Sequence, residues 1–375
     1  MAKKNKTCYI NVGGQALIEG VMMRSPDKTV MAVRNNEGKV VIEDVAVKKR
    51  GKLFKFFSKV PIVRGVLSFP TSIALGYKSL MRSAELSGLE DILDEGEPSK
   101  FEKWLDKVTK GNIMKLISWI SVFLSLILCA GIFVFLPGFL AKQIGLLFMK
   151  SADHPNFNTV VTIIHAFLKI GVFVAYLALC SCMKDIRRTL MYHGAEHKSI
   201  HCLEAGKELT VENVKSCSRF HPRCSTSFLF VMMVFSILFF VLLQEILPFV
   251  NWDNLWLRYL INIAVVPIVM GVGFEIIKLL NRFDNWFTKI LAAPGLSMQF
   301  FTTKEPDEAQ IEVAISSLLA ALDKEVPNFD RPIEAAEDKP SDETDCSEND
   351  TASNEENTSS NDTEVTETSK EVENA

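Results

Sequence analysis

Residues 116–141 read LISWISVFLSLILCAGIFVFLPGFLA, twenty-six positions without one charged side chain. At 1.5 Å of rise per residue this run is long enough to cross a hydrocarbon core of ~30 Å. Lys110 and Lys115 precede it and Pro137-Gly138 punctuates its far end, so a span over about 116–137 is expected. No water inside lipid can satisfy a free backbone, which makes the span a helix. Three further runs follow. Residues 159–183 are broken only by His165 and Lys169, and residues 224–246 are led by the uncharged stretch Cys224 to Gln244. Residues 257–280 are uncharged from Tyr259 to Phe274, after which come Glu275 and Lys278. The expected fold is an α-helical polytopic membrane protein with four transmembrane helices in a domain over 111–281. For any single run the competing reading is a buried helix of a soluble domain, and the fourth run is the most open to it.

Lysine and arginine near the span ends set the orientation. Basic residues crowd the approach to the first span (Lys48 to Lys110), the loop 184–223 and the segment after the fourth (Lys278, Arg282, Lys289). The other two loops hold only Lys142 and Lys150, and Arg258 at an edge. An even number of spans puts all the basic segments on one side. Both termini and the 184–223 loop are therefore expected in the cytosol. Lys169 sits mid-span, where a charge faces a bundle interior or a water-filled cavity. Glu275 and Lys278 are one turn apart and suggest a snorkelling pair.

The average composition hides this segregation. The 375 residues are 48% hydrophobic and 23% charged, with a net charge of −4. Residues 337–375 carry 14 acids and 2 bases, a net of −12, which leaves +8 on the rest. From about residue 331 large apolar side chains almost vanish, so a disordered acidic tail is expected over 331–375. Collagen, repeat arrays and whole-chain disorder are excluded. The eight cysteines form no paired framework, as expected of reduced thiols facing a cytosol. The opening residues have lysines but no apolar core, so no signal peptide is read there.

Residues 1–50 alternate as strands do, over Gln15 to Met23, Thr29 to Arg34 and Lys39 to Val47. Asn35-Asn36-Glu37-Gly38 is a hairpin signal, and Gly13-Gly14 reads as turn punctuation. A small N-terminal antiparallel β domain is expected. In the segment 51–110, only Gly65 to Tyr77 is a sizeable charge-free run, too short to span. It suggests an amphipathic helix, packed on the sheet or lying at the interface. In 282–330, aromatic residues mixed with charges give an interfacial segment. Pro306-Asp307-Glu308 then opens a helix whose face Ile311, Ala314, Ile315, Leu318, Leu319 and Leu322 should dock on the cytosolic domain.

The loop 184–223 holds four of the six histidines. His193, Glu196 and His197 form the pattern H-x-x-E-H. On a helix, positions i, i+3 and i+4 share a face, so both imidazoles can reach one Zn²⁺ and the carboxylate can act as general base. Glu204 continues that face and is a candidate third ligand. Cys224 or His221 can be brought in by a chain reversal, and Arg223 stands between them. The other reading is a polar network on an exposed juxtamembrane helix. The basic loop is not a nucleic-acid site, because no aromatic-interleaved patch or recognition motif accompanies it. Topology and anionic lipid account for its charge.

Residues Gly13 to Pro26 (GGQALIEGVMMRSP), Tyr192 to Lys198 (YHGAEHK) and His221 to Ser227 (HPRCSTS) together resemble the signatures of the YqhQ-like family. This is a bacterial membrane protein family of unknown function, common in Firmicutes and catalogued as predicted metal-dependent enzymes. The resemblance covers roughly residues 8–320 and leaves the acidic tail outside. The family pattern usually has glycine where Ser225 stands. The resemblance implies a multi-pass protein of the bacterial cytoplasmic membrane with a divalent metal, Zn²⁺ by ligand type, at His193, Glu196 and His197. It also directs attention to Gln15, Glu19 and Arg24, for which the structural alternative is a Glu19–Arg24 pair across a turn.

Two functions of different class follow. One is a metal-dependent hydrolase at the cytosolic membrane surface, with His193 and His197 as ligands and Glu196 as base, acting on a peptide or lipid. The other is a non-enzymatic scaffold that recruits a membrane-protein or peptide partner through its cytosolic platform. A transporter has thin support from Lys169 and four spans without a repeat. No feature of the sequence sets an oligomeric state.

Overall fold

The computed structural model describes residues 12–47, 51–88, 113–150, 156–222, 224–247, 249–250, 255–280 and 286–330. The expected acidic tail, the charged approach at 92–108 and Arg223 lie outside the described residues. Four strands come first: β1 (Gly13–Leu17), β2 (Gly20–Arg24), β3 (Thr29–Arg34) and β4 (Val40–Asp44). The chain continues with α1 (Lys52–Phe57), α2 (Val63–Leu86), α3 (Ile113–Ala130), a π turn (Gly131–Phe135), α4 (Leu136–Met149) and α5 (Phe157–Cys182). Then follow α6 (Lys184–Glu204), α7 (Val211–Lys215), α8 (Ser225–Ile246), α9 (Leu255–Leu280), α10 (Trp286–Thr302) and α11 (Glu308–Ala321). The architecture is mostly helical, with one small sheet.

The strands pair antiparallel in chain order. Gln15 faces Met22, Met22 faces Met31, and Ala32 faces Ile42. Side chains alternate across a pleated sheet, and both faces here are covered. Val21, Met23, Val30 and Ala32 enter one core with Tyr192 and Ala195 of α6 and Ile311, Ile315 and Leu318 of α11. Leu17, Met22 and Met31 enter a second core with Leu80 and Leu86 of α2. The single strand expected over Gln15–Met23 is in fact a hairpin. Leu17 pairs with Gly20, and Ile18-Glu19 make the turn. Glu19 there has a left-handed φ of 51°, and the turn lacks the Asn-Gly or Asp-Gly chemistry that marks such hairpins in sequence.

Helix α11 starts at a capping box in which Asp307 and Gln310 each bond the other's backbone N–H. Ile311, Ala314, Ile315 and Leu318 are fully buried on the sheet, so the expected apolar face docks as an amphipathic helix should. Arg34 stitches this layer to the β3–β4 hairpin. Its Nη2 donates to Ala309 O at 3.2 Å and Glu312 Oε2 at 3.0 Å, and its Nη1 to Gly38 O at 2.8 Å. The Arg34–Glu312 pair is nearly buried, and removing one partner of such a pair costs about 3 kcal/mol. Arg34→Met is expected to lose about that much in a urea melt of the solubilised protein. The double variant Arg34→Met, Glu312→Leu should recover the part of the loss due to the unpaired Glu312 charge, and not the part due to the Gly38 and Ala309 carbonyls, which stay without the guanidinium.

Two stretches are long and apolar enough to cross a membrane: Ile120–Met149 over 30 residues and Thr159–Cys182 over 24. Phe230–Gln244 and Ile263–Ile276 are shorter apolar stretches. The expected end of the first helix at Pro137-Gly138 is corrected, because the helix continues to Met149. The proline has no N–H and presses on the carbonyl four residues back. That carbonyl belongs to Phe133, inside the π turn, where the hydrogen bonds already depart from α register.

The expected Glu275–Lys278 pair is also corrected. Glu275 takes two bonds from the Arg64 guanidinium of α2, one of them from Nε at 2.5 Å. Helices α2 and α9 cross closely at Gly65 and Gly271: a Cβ on Gly65 would lie 3.0 Å from the Gly271 Cα.

Candidate metal centre

Helix α6 carries the site and is fixed at both ends. Asp185 lies in its first turn, where a carboxylate meets the positive end of the helix dipole. At its far end Gly206 takes φ 67°, with Gly206 N bonded to Leu203 O and Lys207 N to Cys202 O. This is a Schellman stop. Every residue from Tyr192 to Ile200 is buried, so this middle stretch of the helix is enclosed on all sides. The chain leaving α10 runs directly over it: Lys304 N donates to Leu190 O at 2.9 Å. A Cβ on Gly194 would sit 2.0 Å from Lys304 O.

His193, His197 and Cys224 are buried, and one ligand atom of each lies within 4.8 Å of the others. The ring centroids of the two histidines are 4.4 Å apart, as expected of residues one turn apart. Their hydrogen bonds fix the tautomers. His193 Nδ1 contacts Thr302 O at 2.7 Å, and His197 Nδ1 contacts Arg219 O at 2.5 Å. A carbonyl only accepts, so each Nδ1 carries the proton and each neutral ring keeps its Nε2 lone pair. Cys224 Sγ stands 3.3 Å from His193 Nε2. Burial holds His197 below the usual imidazole range, although Cys224 acts against it. Backbone carbonyls that orient histidine ligands through Nδ1–H are the usual support of a metal site. Two imidazole nitrogens and one thiol are a donor set that suits Zn²⁺ with a fourth position open.

Glu196 lies beside these three. Burial pushes its carboxyl up to about 7; nearby His193 lowers it, Cys224 adds to the rise, and the Gly14 N–H lowers it. Its Oε2 is buried and has no hydrogen-bond partner among the described residues. The sheet reaches this side chain because residue 14 has none of its own. A Cβ on Gly14 would lie 2.8 Å from Glu196 Cδ. The reading of Gly13-Gly14 as turn punctuation is therefore corrected: both residues are in β1, and Gly14 is a contact position.

The remaining candidates are distributed differently. Glu204 is not in the group of three. Its Oε2 faces His221 Nε2 at 3.4 Å. Seven residues beyond His197, it lies about 10 Å further along the axis, whereas the chain reversal returns Cys224 to the imidazoles. His221 is buried, and that burial lowers it to about 4. Its backbone is clamped by Gln299, which accepts from His221 N at 2.8 Å and donates to His221 O at 2.7 Å. Gln15 is on the opposite face of the sheet, against Gly76 of α2.

The Glu19–Arg24 alternative is corrected. Glu19 takes two bonds from Arg188 of α6 and one from Tyr192 Oη at 3.1 Å, while Arg24 is exposed at the end of β2. Sequence reasoning missed Arg188, Gln299 and the carbonyls of Thr302 and Arg219. Backbone acceptors leave no mark on residue identity, and Gln299 lies 75 positions beyond Cys224.

The chain is similar to known proteins along most of its length. Residues 60–324 match the family described as "Protein of unknown function (DUF1385)". Over 306 residues the chain is 34% identical to "Uncharacterized protein YqhQ" of Bacillus subtilis (strain 168), covering 81% of this chain and 90% of that protein. No solved structure matches the chain. The resemblance read from the three sequence blocks is borne out at the level of family, and the chain belongs to the DUF1385 family of proteins of unknown function.

Proposed function

We propose that this protein is a zinc-dependent hydrolase of the bacterial cytoplasmic membrane, working at the cytosolic surface on a peptide or lipid. The observation that carries the reading is the convergence of His193, His197 and Cys224, with both Nδ1 atoms engaged by carbonyls, beside a buried Glu196 with one unused oxygen. His193, His197 and Cys224 would hold the Zn²⁺, which when bound would supply Lewis-acid polarisation of a carbonyl or phosphoryl group. Glu196 Oε2 takes the proton of the attacking water and returns it to the leaving group. A carboxyl raised by burial is suited to both transfers. The Gly14 N–H steadies the carboxylate, and Thr302 and Arg219 hold the imidazoles through the cycle.

The membrane part of the proposal is four spans, built on α3–α4, α5, α8 and α9, with the sheet, α6 and α11 in the cytosol. Support comes from the basic flanks and from outward-facing side chains such as Phe123 at 67% and Leu126 at 69% exposure, an apolar surface that suits lipid. In this arrangement Cys224, at the head of the third apolar run, sets the site at the bilayer surface.

The test is Glu196→Gln in the purified full chain. Zinc should stay at the wild-type level, while hydrolysis of a panel of fluorogenic peptides and lipid esters falls by about 10²–10⁴-fold. Unchanged turnover in the variant would remove Glu196 from the chemistry.

A further inference from the structure

We propose that α1 and the turn into α2 form a docking site for anionic lipid headgroups. The inference rests on the reading of α9 as a membrane span. Tyr259 to Phe274 carry no charge and Glu275 is the first acid after them, so Glu275 marks the level at which the span meets the headgroups. Helix α2 is pinned at that level: Arg64 Nε donates to Glu275 Oε1, Ile62 N lies 3.3 Å from the same oxygen, and Gly65 packs on Gly271. The reversal into α2 is tight. Pro61 precedes Ile62, whose φ is 67°, and Val60 N bonds Phe57 O. Helix α1 is thereby held within a few residues of the same depth.

The surface it offers has two chemistries. Phe56, at 64% exposure, Phe57, Val60 and Ile62 are exposed apolar groups. Lys52 and Lys59 are exposed beside them. From Val45 to Val63 the sequence has no acid, but it has Lys48, Lys49, Arg50, Lys52, Lys55 and Lys59, while the next base, Arg64, is taken up by Glu275. An apolar patch alone would fit a protein as well. Aromatic side chains interleaved with an acid-free basic run, at headgroup depth, fit an anionic bilayer surface, to which each basic group adds attraction.

The test places a benzophenone photo-cross-linker at Phe57 of the full chain, in phosphatidylcholine vesicles with about one fifth phosphatidylglycerol. A second reporter at Phe123 in α3 is the control. At Phe57, phosphatidylglycerol adducts should exceed its share of the membrane by about fivefold. The excess should fall toward unity in Lys52→Gln, Lys55→Gln, Lys59→Gln and in high salt. At Phe123 the adducts should follow lipid composition. Labelling at Phe57 without headgroup preference would overturn the proposal, as would a protein–protein adduct there. Lipid adducts at Phe123 with none at Phe57 would overturn it while sparing the spans. Absence at both positions would bring down the span reading, and this proposal with it.

Discussion

In His197→Ala, bound zinc is expected to fall from about one equivalent per chain to below about a tenth, since each ligand of a three-residue site is indispensable at ordinary free-metal levels. The ring removed is the central one. Its Nδ1 is anchored to Arg219 O at 2.5 Å, and its Nε2 belongs to the convergent group with His193 and Cys224. The imidazole of His221 does not replace it, because that ring is turned to Glu204 at 3.4 Å. Cys224→Ser should show the same loss in milder form, with a harder and weaker ligand in place of the thiolate. Glu204→Gln, by contrast, should retain zinc. Elemental analysis of the purified variants reads all three outcomes. A Glu204→Gln variant without metal would mean that the third ligand has been misassigned.

Gly194→Ala is expected to abolish folding of the domain built on α6, with a destabilisation above about 3 kcal/mol. Its new methyl group would lie 2.0 Å from Lys304 O, a backbone atom that cannot swing aside. Relief requires the chain at 303–304 to lift off α6. That movement breaks the bond from Lys304 N to Leu190 O and carries Thr302 O away from His193. Gly14→Ala should cost less, about 1–3 kcal/mol, because the atoms it meets are the carboxyl end of Glu196, which can rotate. Limited proteolysis and expression level in membranes separate the two. A Gly194→Ala protein as protease-resistant as wild type would contradict the packing described.

These glycines show where the sequence was legible and where it was not. The apolar face of α11 was readable because Ile311, Ile315 and Leu318 recur at helical spacing, and nothing else could bury them. The nearness of His193 to His197 followed from one turn of helix. Gly14 and Gly194 gave no such sign, since a missing side chain says that something comes close without saying what. The third member of the cluster was ambiguous for a related reason. Helical continuity favoured Glu204, and only the reversal through α7 and residues 216–222 brings Cys224 back. The turn at Ile18-Glu19 was missed because its left-handed residue is a glutamate. That conformation costs about 1–2 kcal/mol and is held by Arg188 and Tyr192 from α6. Its cause is tertiary and could not be found in the local sequence.

X-ray absorption at the zinc edge, on protein purified without chelator and without added metal, tests the central claim most directly. The ligand set predicts one sulfur at about 2.3 Å and two imidazole nitrogens at about 2.0–2.1 Å, with the sulfur shell absent in a Cys224→Ser preparation. A metal shell made of oxygen and nitrogen alone, or a purified protein with no transition metal, would contradict it.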